Sequence, residues 1–230
     1  MPARALIFDF NGTLSDDEDV MEAVTQDVLG RYGPVPTHAD YIDRLAGFSD
    51  DAIVRIWLGE RPDLDRIVEE RVQGYRERVA DGRTVTTEMR ELVRRAAERV
   101  PVAIVSGAAL SEIAPVLDAA GIAELFRFVV SSDDVREGKP HPEGYLIGLE
   151  RLGELRPGLR PDQVAVIEDT EAGVTAAKAA GLHTVALVRT MPAARLAAAD
   201  ELVDVVDWAL IERLLGRSAP ARSDPGPAAI

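Results

Sequence analysis

The sequence predicts an α/β protein: a doubly wound parallel sheet with a small helical domain inserted after the first strand. Three observations predict it. Short β-branched and aliphatic runs recur along the chain, stretches with helical spacing separate them, and the interval from about 15 to 86 holds no strand-like run. Apolar residues that run on rather than alternate are the pattern of strands covered on both faces. Strand alternating with helix then implies a parallel sheet between two helical layers.

The first run is ALIFDF at 5–10, followed after a long interval by VAIVS at 102–106 and FVVSS at 128–132. Three more follow, VAVIED at 164–169, TVALV at 184–188 and ELVDVV at 201–206. Between them, EMRELVRRAAERV places Met89, Leu92, Val93, Ala96, Ala97 and Val100 at i, i+3, i+4, i+7, i+8 and i+11, one face of a helix. The interval 15–86 carries EDVMEAVTQDVLGRYG, DDAIVRIWLG and DLDRIVEERVQGYRERVADG, rich in charges and apolar residues four apart. These boundaries predict a core of residues 1–14 and 87–216, a helical insertion at 15–86, and a tail at 217–230. The tail is rich in Pro, Ala, Ser and Gly, and is expected to be flexible because it has too little to bury.

Composition narrows the function classes. Forty acidic residues against 26 basic ones give a formal charge of −14, which repels nucleic acid and anionic membrane surfaces. Neither is an expected partner. A small anionic substrate remains open, since a local cluster of donors or a bound cation can invert the field within one cleft. The chain has no cysteine, so disulfides, thiolate nucleophiles and cysteine-ligated metal sites are excluded. No apolar run approaches the roughly 18 residues of a membrane span, and MPARALIFDF lacks the long apolar region of a secretion signal, so a cytoplasmic protein is expected. The oligomeric state is not legible.

Ligands of open parallel sheets bind beyond the carboxyl ends of the strands. Asp9 ends the first predicted strand, Ser106 the second, and Glu168 with Asp169 the fourth, while Lys139 follows the third in EGKPHPEGY. Taken singly, each has an ordinary reading as a turn former, helix cap or solvated lysine. Together they converge on one edge of one sheet. Carboxylates gathered there repel one another unless a divalent cation lies between them, and hard oxygen ligands suit Mg²⁺. A metal, a lysine and a serine hydroxyl match the oxygens of a phosphoryl group, and a free carboxylate facing phosphorus can attack it. The residues therefore point to Mg²⁺-dependent phosphoryl transfer with Asp9 as nucleophile. No nucleotide-cradling P-loop is present. His38, His141 and His183 form no metal triad in sequence. His141 lies in the Lys139 loop, Trp57 and Trp208 are spaced as packing residues, and Arg44, Arg55 and Arg61 are candidate anion contacts.

These motifs resemble the haloacid dehalogenase-like (HAD) hydrolase superfamily, in the subgroup of phosphoglycolate phosphatase and β-phosphoglucomutase. DFNGTL resembles the first family motif, usually DxDGTL, and VSGA the second; GKPHPEGY resembles the third, and IEDTEAG the fourth, usually EDSxxG. All four fall in the family's order, and the match covers nearly the whole chain apart from the tail. The resemblance implies a HAD-like Rossmannoid core with a helical C1 cap and a small phosphorylated metabolite as substrate. It implies Asp9 as nucleophile, Ser106 and Gly107 at the phosphoryl oxygens, Lys139 neutralising nucleophile and phosphate, and Asp9, the Asn11 carbonyl, Glu168 and Asp169 holding Mg²⁺. GTLSDDE resembles the hinge usually written GTLxDSE, and AGFSDDAIVRIW falls at the cap's specificity loop, with Gly47 and Ser49 as substrate contacts. Gly47 reads equally well as an ordinary helix C-cap glycine.

One position departs from the pattern. The second acid of the first motif protonates the leaving group and then activates water in phosphatases and mutases of this family, and here it is Asn11, which does not titrate. The only lysines are Lys139 and Lys178, so the Schiff-base chemistry of phosphonoacetaldehyde hydrolase has no cap lysine to use. The intact acids of IEDTEAG argue against metal-free dehalogenation. Ser49 is followed by Asp50 and Asp51 rather than by the arginine of the mutase branch, which disfavours a sugar-phosphate mutase. Three explanations of Asn11 stay open: Asp16, Asp17 or Glu18 supplies the proton; the substrate's leaving group needs none; or the protein binds a phosphorylated ligand with little turnover. An engineered or drifted amide is the plain alternative.

Overall fold

The computed structural model describes residues 1–216, and the tail expected at 217–230 lies outside the described residues. Each apolar run becomes a strand: β1 Ala5–Phe8, β2 Val102–Val105, β3 Val129–Val130, β4 Val164–Glu168, β5 His183–Leu187 and β6 Glu201–Val203. They form one parallel sheet in the order β3-β2-β1-β4-β5-β6. β1 and β2 are shorter than their apolar runs because Asp9 and Ser106 at their carboxyl ends leave the ladder to form loops. Asp9 and Ser106 are the first residues beyond their strands, and the sheet still pins them. The Asp9 N–H donates to the Ile167 carbonyl at 2.9 Å and the Ser106 N–H to that of Val130 at 2.9 Å.

Successive side chains of a strand face opposite layers, which divides the interior in two. Leu6, Phe8, Ile104 and Ile167 belong to the larger cluster. Ala5, Ile7, Ala103, Val105 and Val166 belong to the other, against Tyr145 and Leu152 of α7 Glu143–Leu155 and Ala176 and Ala177 of α8 Glu171–Ala179.

Four helices lie between β1 and residue 86: α1 Glu18–Leu29, α2 His38–Arg44, α3 Asp50–Leu58 and α4 Leu64–Val79. The apolar spacing marks three of them and misses α2, whose signal is a reciprocal cap: Thr37 accepts from the Asp40 N–H while Asp40 accepts from the Thr37 N–H. Helices α1 and α3 pack on α4, and α4 rests against α6 Leu110–Ala120, which follows β2. Helix α5 Thr87–Ala97 leads into β2 and α9 Trp208–Leu214 ends the described chain. No helix among the described residues is long and apolar enough to cross a membrane.

Candidate active site

The strand order changes direction between β1 and β4, and a crevice opens at the carboxyl ends of such a pair. Asp9 stands on one side of it, Glu168 and Asp169 on the other, with ligand atoms of all three within 4.8 Å of one another. Lys139 reaches between them from the loop after β3. Its Nζ donates to Asp9 Oδ1 at 2.5 Å and to Glu168 Oε1 at 2.5 Å. The Glu168 carboxylate is bound on every side: Tyr145 donates to Oε1 at 2.8 Å, and the Asp169 and Thr170 N–H groups donate to Oε2 at 3.0 and 3.2 Å. Asp169 accepts from Thr13 at 3.0 Å and from the Thr190 hydroxyl. Two glycines make room for these acids, because a Cβ at Gly12 would overlap the Asp169 carboxylate and one at Gly173 that of Glu168.

Three buried carboxylates face one lysine. Burial raises the Asp9 carboxyl well above its usual range; Lys139 pulls it back only in part, and Glu168 and Asp169 push it further up. Asp169 is raised likewise, by burial and then by Glu18 and Glu168. Burial alone would lower Lys139, but Asp9 and Glu168 hold its ammonium charged. The cluster therefore carries more negative charge than Lys139 neutralises, and its all-oxygen donor set fits a small hard divalent cation.

The turn after β1 folds back on its own acid. Gly12 takes a left-handed φ of 71°, and its N–H donates to Asp17 Oδ1 at 3.1 Å. Asn11 Nδ2 donates to Asp17 Oδ2 at 3.1 Å and to the Tyr75 hydroxyl at 3.1 Å, and Tyr75 donates to Asp17 Oδ2 at 2.5 Å. Where DxDGTLxDSE has Asp and Ser, this chain has Asn11 and Asp17, so a carboxylate has moved by one hydrogen bond. Burial raises Asp17 to about 6 against these donors. Next to it, Glu18 accepts from the Tyr41 hydroxyl at 2.6 Å.

Two cavities meet this edge. One, about 440 Å³, is lined by Ser49, Ser106, Gly107, Lys139 and His141 among others. The other, about 40 Å³, is lined by Asp9, Asn11, Glu18, Tyr41, Gly47 and Asp50 among others, and Phe48 and Gly107 border both. Gly47 has a φ of 86° and lies so close to Thr170 that a Cβ would overlap its side chain, so a left-handed turn and a close approach both require glycine there. Ser49 immediately precedes α3, and its hydroxyl donates to Asp51 at 2.6 Å. The candidate anion contacts Arg44, Arg55 and Arg61 are engaged elsewhere. Arg44 stacks over Trp57, Arg55 pairs with Glu60 and Asp51, and Arg61 pairs with Asp63 at 2.5 Å. Tyr75, Tyr145 and Thr190 carried no sequence signal. Tyr145 sits within the GKPHPEGY motif, yet only the fold turns it toward Glu168.

Sheet, switch point and acid cluster place an all-oxygen donor set at the ligand-binding edge of an α/β fold. The chain belongs to the haloacid dehalogenase-like hydrolase family, whose model matches residues 6–187. It is 28% identical to phosphoglycolate phosphatase of Pectobacterium atrosepticum, over 96% of each chain. It is 28% identical to validoxylamine A 7'-phosphate phosphatase of Streptomyces hygroscopicus subsp. limoneus, over 87% of this chain and 92% of that one. The phosphorylated carbohydrates phosphatase of Thermotoga maritima is 30% identical over 79% of this chain and 83% of its own. Among solved structures, β-phosphoglucomutase of Clostridium difficile superposes with a TM-score of 0.78 at 20% identity, covering 93% of this chain and 97% of that one. CbbY of Rhodobacter sphaeroides, solved with phosphate, gives 0.74 at 21% identity, covering 88% and 94%. At these identities the two structures speak for the fold.

Proposed function

We propose that this protein is a Mg²⁺-dependent phosphatase that hydrolyses a small alkyl phosphate monoester through a phosphoryl group carried on Asp9. The observation that carries the proposal is the Asp9 carboxylate at the switch point, salt-bridged to Lys139 at 2.5 Å and grouped with Glu168 and Asp169. The named relatives act on phosphoglycolate, validoxylamine A 7'-phosphate and phosphorylated carbohydrates, all bearing phosphate on an alkyl oxygen.

Asp9, Glu168, Asp169 and the Asn11 carbonyl are the residues that would hold the cation, with Lys139 salt-bridged to Asp9 and Glu168 beside them. Bound there, Mg²⁺ supplies positive charge to the phosphoryl oxygens. Asp9 attacks phosphorus in line with the departing oxygen. Lys139 keeps Asp9 oriented, and Ser106 with the Gly107 backbone positions the phosphoryl oxygens. Residues 15–86 serve as a cap over this edge. The cavity beside Asp9, about 40 Å³, is lined by Glu18, Tyr41 and Asp50 of this segment and by Asp9 and Gly107 of the sheet edge, so opening and closing of helices α1 to α4 would control access to it.

The test is phosphate release from a panel of glycolyl, sugar, nucleotide and acyl phosphates with Mg²⁺ and with EDTA. Turnover with Mg²⁺ that EDTA abolishes is the expected result, and the best substrate names the class. A phosphate ester that binds and is not consumed, together with turnover gained in Asn11→Asp, would replace the proposal with a ligand-binding role.

A further inference from the structure

We infer that Glu18 passes a proton to the substrate's bridging oxygen and later takes one from water, the part that Asn11 cannot play. The inference rests on the phosphatase reading above.

Three acids of the hinge compete for this role, and their surroundings separate them. Asp16 is exposed and paired with Arg189 at 2.7 Å. Asp17 is buried with both oxygens engaged, by the Gly12 N–H on one side and by Asn11 and Tyr75 on the other. Glu18 is half-buried and borders the same small cavity as Asp9 and Asn11. Tyr41 donates to its Oε1, and among the described residues no hydrogen bond engages Oε2. One oxygen is thus held in place while the other is free to meet a substrate.

The groups facing Glu18 suit a carboxyl that gains and loses a proton near neutrality. Burial comes first in raising it, to about 7. Tyr41, from α2, pulls it down, while Asp17 of the hinge, Asp9 after β1 and Glu22 of α1 push it up. Asp169, after β4, feels the same repulsion from its side. The positive end of α1 favours an ionised acid, an effect typically worth only about 0.3–1 kcal/mol. Burial and the surrounding acids outweigh it.

The chemistry balances. As Asp9 bonds to phosphorus, the bond from phosphorus to the bridging oxygen breaks, and that oxygen takes the Glu18 proton and leaves as an alcohol. A water oxygen then bonds to phosphorus, its proton passes to the Glu18 carboxylate, and the bond to Asp9 breaks. Inorganic phosphate departs with both carboxyl groups restored.

The test exploits leaving-group basicity, with enzyme in excess so that the first step is read alone. Glycerol phosphate leaves as a strongly basic alkoxide, whereas p-nitrophenyl phosphate leaves as a phenolate that needs no proton. Glu18→Gln is expected to slow glycerol release by about 10²–10⁴-fold while single-turnover p-nitrophenol release keeps its rate within a few-fold. With glycerol phosphate, kcat/KM of the parent falls with rising pH as Glu18 loses its proton, and the variant lacks that limb. Glu18→Asp retains the limb. Unchanged p-nitrophenol release also reports an intact fold. Equal losses on both substrates, or no loss on glycerol phosphate, would overturn the assignment of Glu18 and leave the phosphatase reading standing. A parent protein that releases neither product overturns the phosphatase reading itself.

Discussion

At Asn11 the chain exchanges an acid for an amide, and the reason lies six residues on. An acid at this place would set two carboxylates about 3 Å apart in a buried turn, where like charges cannot both ionise. Asn11→Asp alone is expected to lower the melting temperature, and by more at pH 8 than at pH 5; adding Asp17→Ser is expected to recover most of the loss. Melting curves at both pH values decide it, and a single variant that melts like the parent at pH 8 contradicts it. Gly173 gives a second test. Gly173→Ala drives a Cβ into the Glu168 carboxylate, which the Asp169 and Thr170 amides hold in place. Overpacking of this kind costs typically about 1–3 kcal/mol, and here it also displaces the partner of Lys139. Denaturant unfolding and phosphate release should both suffer. Asp9, Ser106, Glu168 and Asp169 were legible in sequence because each ends a run of apolar residues, and Lys139 because it stands in the GKPHPEGY segment after the third run. The coupling of Asn11 to Asp17 was not, since both read separately as departures from a motif and only the Gly12 turn brings them into contact.

Among the elements, every apolar run returned as a strand; burial on both faces leaves an unbroken signal in β1, β2 and β4, while the edge strand β6 is partly exposed. Helix α2 was missed since seven residues carry too little periodicity and its cap uses Asp40 where a capping box has Glu or Gln. Nothing in the sequence marked Arg71 of α4, which is buried, pairs with Asp50 of α3 and donates to Thr25 of α1 at 2.9 Å. One guanidinium thereby ties three helices together beside the small cavity that Asp50 lines. Arg71→Ala is expected to destabilise the protein by about 3–5 kcal/mol, because it strands a buried carboxylate. Arg71→Met with Asp50→Asn should recover much of that. A single variant within about 1 kcal/mol of the parent in denaturant titration would show that the pair contributes no such linkage.

On the scale of the whole molecule, acids crowd one edge of the sheet in a chain of net charge −14. Asp17 is raised from 3.8 to about 6 and Glu18 from 4.5 to about 7, with Asp9 and Asp169 raised as well. Each binds more protons folded than unfolded across that window, so stability without metal falls as pH rises from about 4 through 7. A divalent cation relieves this repulsion. Thermal shift with Mg²⁺ is therefore expected to be larger at pH 8 than at pH 5, and an equal shift at both would contradict the reading of the cluster as a cation site.

The measurement that bears most directly on the account is inorganic phosphate released from a small alkyl phosphate with Mg²⁺, by the protein and by Asp9→Asn side by side. Turnover by the protein and none above background by the variant is the predicted result. Turnover that survives the loss of the Asp9 carboxylate would contradict the account at its centre.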